Sequence, residues 1–131
     1  MTAVAGELGF TVDSREIDRP GPSYTIDTLR DLRREGPGDS LFLILGADAA
    51  RDLPRWRQGD EVLRLAALVV APREGPADPL PRGAVALEMA PVTVSATAVR
   101  ERVAQGREIT ELVPEGVARY IAAHGLYRMG A

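Results

Sequence analysis

Ser95, Thr97 and Arg100 are the sharpest group of chemistry-bearing residues in this 131-residue chain. Serine is a natural helix N-cap, and the apolar spacing of Ala96, Val99 and Val103 predicts a helix from Ser95 to Gln105. Thr97 and Arg100 stand three residues apart and therefore share one helix face. A helix start carries unpaired backbone N–H groups and a partial charge of about +0.5. Two hydroxyls and a guanidinium beside it make a phosphate site. Taken alone, the same residues also suit an ordinary cap followed by a solvated arginine.

Three further groups have the right types for a nucleotide-sized ligand. Gly46 and Asp48 follow the apolar run Leu41 to Leu45, where a glycine lets a ligand approach the backbone and an aspartate can accept from a ribose. Asp48 is equally suited to capping the next helix. Trp56, the only tryptophan, stands among Arg55, Arg57 and Gln58 rather than on an apolar face. A ring there can stack on a base or pyridine, worth roughly 1–3 kcal/mol in nucleic-acid systems, or can anchor a loop. Tyr24 and Thr25 follow the stiff Pro20-Gly21-Pro22 segment and open a helix, so they can hold a small polar ligand or simply close the loop. His124, the only histidine, falls in the last turn of the last helix, where the dipole favours a cation, and is expected to be structural.

The elements that must position these groups alternate. Met1 to Leu8 reads as a frayed helix end, Phe10 to Val12 as a short strand, and Arg15 to Thr25 as a non-helical loop. Ile26 and Leu29 mark the buried face of a helix from Thr25 to Arg34. Leu41 to Leu45 and Leu68 to Ala71 are expected as strands buried on both faces, with Ala84 to Met89 as a third. Short helices are expected from Ala49 to Leu53, broken by Pro54, and from Glu61 to Leu65. The proline-rich Arg73 to Arg82 stretch is expected as a surface loop. Pro114 to His124 is the final helix, with Pro114 at its first position and Gly125-Leu126 as its cap. Alternating strands and helices predict an α/β fold with a parallel sheet in one domain, 1–131. Ligands in such sheets bind beyond the carboxyl ends of the strands.

Composition removes several classes of chemistry. There is no cysteine, so disulfides, thiolate metal sites and cysteine nucleophiles are excluded. All 16 basic residues are arginine, which excludes a Walker lysine, a Schiff base and a lysine general base. Any cationic phosphate work falls to arginine, whose planar fork suits it. A net charge of −3 gives no broad footprint for nucleic acid or an anionic membrane. No apolar run has the length of a membrane span and no signal peptide is evident, so a cytoplasmic location is expected.

The segments RPGPSYTIDTLRDLR, LFLILGADAARDLPRWRQGDEVL, LVVAPR, VSATAVRERV and LVPEGVARYIAAHGLY, in this order, resemble the bacterial nicotinate-nucleotide adenylyltransferases over nearly the whole chain. The resemblance implies a Rossmann-like nucleotidyltransferase fold and transfer of AMP from ATP to nicotinate mononucleotide. Deamido-NAD and pyrophosphate are the products, and Mg2+ accompanies ATP. It implies that Ser95, Thr97 and Arg100 contact the ATP phosphates, with Arg100 catalytic, and that Gly46 and Asp48 lie at the ATP site. Trp56 then stacks on the nicotinate ring, Thr25 after Tyr24 lies beside its carboxylate, and Arg73 lies near substrate phosphates. The family begins with a strand, a glycine-rich turn and a histidine-x-glycine-histidine motif, and nothing of that sort precedes Met1. A truncated chain is therefore expected, with the first βα units missing and its activity in doubt. Two alternatives stand beside this reading: an adenylyltransferase for another substrate, such as a phosphopantetheine, and a non-catalytic nucleotide-binding module. A homo-oligomer is left open.

Overall fold

A computed structural model of the chain describes residues 2–73 and 79–129. The described residues group into two compact units, one within 14–93 and the other within 1–13 and 94–131.

The first unit is built on a parallel sheet of order β1-β2-β3, with β1 Phe42–Gly46, β2 Ala67–Ala71 and β3 Val85–Ala86. Parallel neighbours need a crossover. Between β1 and β2 it is made by a helix Ala47–Asp52, a 3-10 turn Leu53–Arg55 and a helix Gly59–Leu65. The helix Thr25–Glu35 lies against Gly59–Leu65 in the same layer. Its Ile26 and Leu29 are buried, as their spacing predicts, together with Ala50, Leu53, Val62, Ala66, Leu68 and Val70. In chain order the α-helices are α1 Thr2–Ala5, α2 Arg15–Asp18, α3 Thr25–Glu35, α4 Ala47–Asp52, α5 Gly59–Leu65, α6 Ala96–Ala104 and α7 Glu115–Ala123.

Several expectations are corrected. β1 is not buried on both faces: Leu43 and Leu45 pack on the core, whereas Phe42 and Ile44 are about two-thirds exposed, at 64% and 65%. β1 pairs only with β2 among the described residues, and separately only one of its two faces packs on the core, so a continuous apolar run here serves a strand covered on one face. The third strand shrinks to two residues, closed by the Leu87 N–H bonding to the Val70 carbonyl. The stretch from Arg15 is not wholly non-helical, because α2 completes one turn before Pro20, and proline restricts only itself and the residue preceding it. The Ser14 hydroxyl bonds to Asp18 across that turn at 2.6 Å. Part of the expected Arg73 to Arg82 loop, residues 74–78, lies outside the described residues.

In the second unit α6 and α7 enclose a small core of Val99, Ile109 and Ile121. Pro114 is the N-cap of α7 rather than its first helical residue, its extended ψ of 148 turning the chain into the helix. Gly125 takes a left-handed φ of 60, and the Leu126 N–H reaches back to the Ile121 carbonyl at 3.1 Å, which seats Leu126 on the core. No strand forms at residues 10–12. Gly9, at φ 71, turns the chain out of the α1 region, and the Phe10 N–H is taken by the Ala5 carbonyl at 2.9 Å.

Candidate functional site

Ser23, Tyr24, Thr25, Arg55, Trp56 and Arg57 line one cleft of about 340 Å³. Two segments, 23–25 and 55–57, make it, and each is held by identifiable bonds. Tyr24 is the extended N-cap of α3 (φ −109, ψ 143), and its carbonyl accepts the Asp27 N–H at 3.0 Å. Arg19 fixes the approach, pairing with Asp31 at 3.0 Å and donating to the Ser23 hydroxyl. Thr25 begins α3; the Asp27 and Thr28 N–H groups bond to the Tyr24 carbonyl, and those of Thr25 and Ile26 have no partner within the helix.

The opposite wall is the exit from the 3-10 turn. The Trp56 N–H bonds to the Leu53 carbonyl at 3.0 Å, and the Trp56 carbonyl accepts from Gly59 at 3.1 Å. Gln58 between them is left-handed at φ 53. Gly59 is buried, and a Cβ there would collide with the Leu53 carbonyl oxygen, so only glycine lets α5 start so close to the turn. Leu53 is fully buried, and the half-buried Trp56 packs on the same core. The indole is therefore a seated plate with one side toward the cleft. The Arg57 guanidinium lies 4.8 Å above the Tyr24 ring. A plate, hydroxyls, helix-start N–H groups and two arginines suit a flat ring bearing an anionic group.

The second group sits at the strand ends. Gly46 pairs with Ala71 in the β1–β2 register, so Asp48 and Arg73, each two residues further on, emerge side by side. They form an ion pair, and Asp48 also faces Arg51 at 3.8 Å. Gly46 has open space around its α-carbon, which suits close approach of a ligand. The resemblance places Asp48 at the ATP site and Arg73 near substrate phosphates without linking the two. The fold makes them partners at the carboxyl edge of the sheet.

The third group is in the other unit. Ser95 caps α6, its hydroxyl accepting from the Ala98 N–H at 3.1 Å. Arg100 donates to the Thr97 hydroxyl at 3.1 Å, so the two residues share a face as expected. All three are exposed, and the guanidinium is held near the helix start.

The sequence alone points to Tyr24, Thr25 and Trp56 as ligand contacts, and not to Ser23, Arg55 or Arg57. The available signal was the basic pair flanking Trp56. His124 is placed as expected, stacked on Tyr120 at 3.9 Å with Nδ1 2.9 Å from the Tyr120 carbonyl oxygen at the end of α7. Among the described residues no group of three or more acidic or histidine side chains could hold a metal ion, and no helix is long and apolar enough to cross a membrane.

No protein-family model matches the chain. It is 46% identical to a probable nicotinate-nucleotide adenylyltransferase of Thermus thermophilus over 129 residues, which is 98% of this chain and 69% of that protein. A protein of the same name from a Roseiflexus species is 49% identical, covering 96% of this chain and 68% of the relative. Among solved structures, the fold is similar to a Plasmodium falciparum nicotinic acid mononucleotide adenylyltransferase complexed with APC. That match has a TM-score of 0.67 and 16% identity, and covers 82% of this chain and 60% of that one. The same enzyme complexed with NaAD matches at a TM-score of 0.65. The sheet is thus part of a Rossmann-like nucleotidyltransferase fold. With identities of this size over nearly all its length, the chain belongs to the nicotinate-nucleotide adenylyltransferases, transferases of NAD biosynthesis.

Proposed function

We propose that the cleft between Tyr24-Thr25 and Trp56 takes the pyridine ring of nicotinate mononucleotide, and that Ser95, Thr97 and Arg100 take phosphates of ATP. The observation that carries this reading is the convergence of Tyr24, Thr25 and Trp56 on one cleft with arginines at its rim. Trp56 stacks on the ring, and Thr25 with the first N–H groups of α3 faces its carboxylate. At the strand ends Gly46 leaves room for the nucleotide, and Asp48 faces its ribose. Arg73 exchanges Asp48 for a substrate phosphate.

In the reaction a phosphate oxygen of the mononucleotide attacks the α-phosphorus of ATP. The bond to the bridging oxygen breaks, and pyrophosphate leaves with the electron pair. Transfers of this kind depend on positioning and charge stabilisation. Arg100 and the α6 start supply both, with no covalent intermediate on the protein. Mg2+ would enter with ATP and offset phosphate charge, and among the described residues no group of three or more acidic or histidine side chains is placed to hold it alone. A cytoplasmic location belongs to the same reading.

Two measurements on this chain test it. The first is calorimetric titration with nicotinate mononucleotide and with ATP, and the second is pyrophosphate release with both present. Saturable binding of both ligands is expected, with the mononucleotide quenching Trp56 fluorescence. Binding without pyrophosphate release favours a nucleotide-binding module. A mononucleotide that binds without disturbing Trp56 refutes the placement of the ring.

A further inference from the structure

The cleft holds one cation whose position the family reading does not use. Arg57 follows Trp56 directly, and its guanidinium lies 4.8 Å above the Tyr24 ring on the cleft wall. Among the described residues it forms no ion pair, and none of those that line the cleft is a carboxylate. Arg55, the other lining cation, already faces Asp52 at 3.8 Å. The backbone at Arg57 is set on both sides. Trp56 is tied to Leu53 and to Gly59, and the buried Gly59 leaves the turn no room to shift. The aromatic face holds the guanidinium plane by cation–π attraction, which needs no acidic partner and leaves the N–H fork free.

Resting on the assignment of this cleft to the mononucleotide, we infer that Arg57 is a specificity-determining residue that selects a carboxylate over a carboxamide on the pyridine ring. A guanidinium donates charge-assisted bonds to a carboxylate in a fork geometry. A carboxamide offers one neutral acceptor and an NH2 group that faces the cation unfavourably. Mononucleotides in acid and amide forms carry the same ribose phosphate, so any contact Arg57 makes with phosphate affects both alike.

The test compares nicotinate mononucleotide with nicotinamide mononucleotide by calorimetry and Trp56 quenching, on the wild-type chain and on Arg57→Ala, Arg57→Lys, Tyr24→Phe and Tyr24→Leu. Arg57 is exposed, and unchanged circular dichroism melting confirms that its variants fold. The wild type is expected to prefer the acid. Arg57→Ala weakens acid binding roughly tenfold and amide binding less than about twofold. Arg57→Lys restores part of the preference. Tyr24→Phe keeps it, and Tyr24→Leu, which removes the aromatic seat, lowers it. Equal losses for both ligands in Arg57→Ala, or none for either, overturn the inference and leave the cleft assignment standing, as does a wild type that binds both alike. A wild type that binds neither ligand removes the cleft assignment and the inference with it.

Discussion

Trp56 and Arg100 illustrate two ways in which a single side chain can be ready for a ligand. Trp56 is held from behind by the core that buries Leu53, so its ring loses little freedom on stacking. Trp56→Ala should therefore weaken mononucleotide binding by roughly 1–3 kcal/mol while ATP affinity stays within about twofold, as calorimetry would show. Equal losses for both ligands would sink the stacking role. Arg100 is exposed and, among the described residues, is steadied by its bond to Thr97. Arg100→Ala should lower affinity for ATP, or for tripolyphosphate alone, roughly tenfold, with mononucleotide binding unchanged. Asp48 and Arg73 differ again: each is the other's ion-pair partner at the strand ends, and Asp48 also faces Arg51 at 3.8 Å.

At the scale of elements, the cleft depends on how α3 and α5 are joined. Arg30 on α3 makes a two-pronged contact with Glu61 on α5, at 3.2 and 2.7 Å, and Arg33 bonds to the Leu65 carbonyl at the end of α5 at 3.1 Å. Partly exposed pairs of this kind contribute only about 0–1 kcal/mol each, so the burial of Ile26, Leu29, Leu53 and Val62 between the elements holds them together. The tightest point is the entry to α5. Gly59→Ala forces a methyl group against the Leu53 carbonyl and should cost about 1–3 kcal/mol. A lowered urea midpoint and a red-shifted Trp56 emission would report it, and an unchanged midpoint would mean that the turn can move. In the other unit Ser95→Ala removes the α6 cap, an expected loss of about 1 kcal/mol. Faster amide exchange at Ala98 would locate that loss at the start of the helix.

Across the molecule the cationic chemistry is arginine alone, 16 residues in all. Arginine stays charged and brings a rigid fork, so the chain has no proton-labile lysine with which to hold its ligands. Phenylglyoxal, which attacks guanidinium groups, should abolish mononucleotide binding, and excess mononucleotide should slow that loss by shielding the cleft. Reagents that acylate lysine should leave binding intact. A loss of binding after acylation would show that the cations identified in the cleft are not the ones that matter. The sheet adds a further whole-chain feature. β1 presents Phe42 and Ile44 to one side, where none of the described elements covers them.

The sequence by itself determined the helix of Thr25 with its buried Ile26 and Leu29, the β1 and β2 runs, the Ser95 cap and the pairing of Thr97 with Arg100. All are set by spacing within a few residues, where periodicity and capping act. It also determined, through the order of its motifs, the family to which 46% and 49% identity to relatives now assign the chain. It did not show that β1 is open on one face, because an apolar run reads the same whether or not another layer covers each face. Nor did it show that Asp48 meets Arg73, which follows from the register of two strands separated by a whole crossover. The place of Arg57 over Tyr24 was equally hidden, since those two segments meet through Ile26 and Leu53 packing in one core. Contacts of that range depend on how layers pack, and only the tertiary structure decides them.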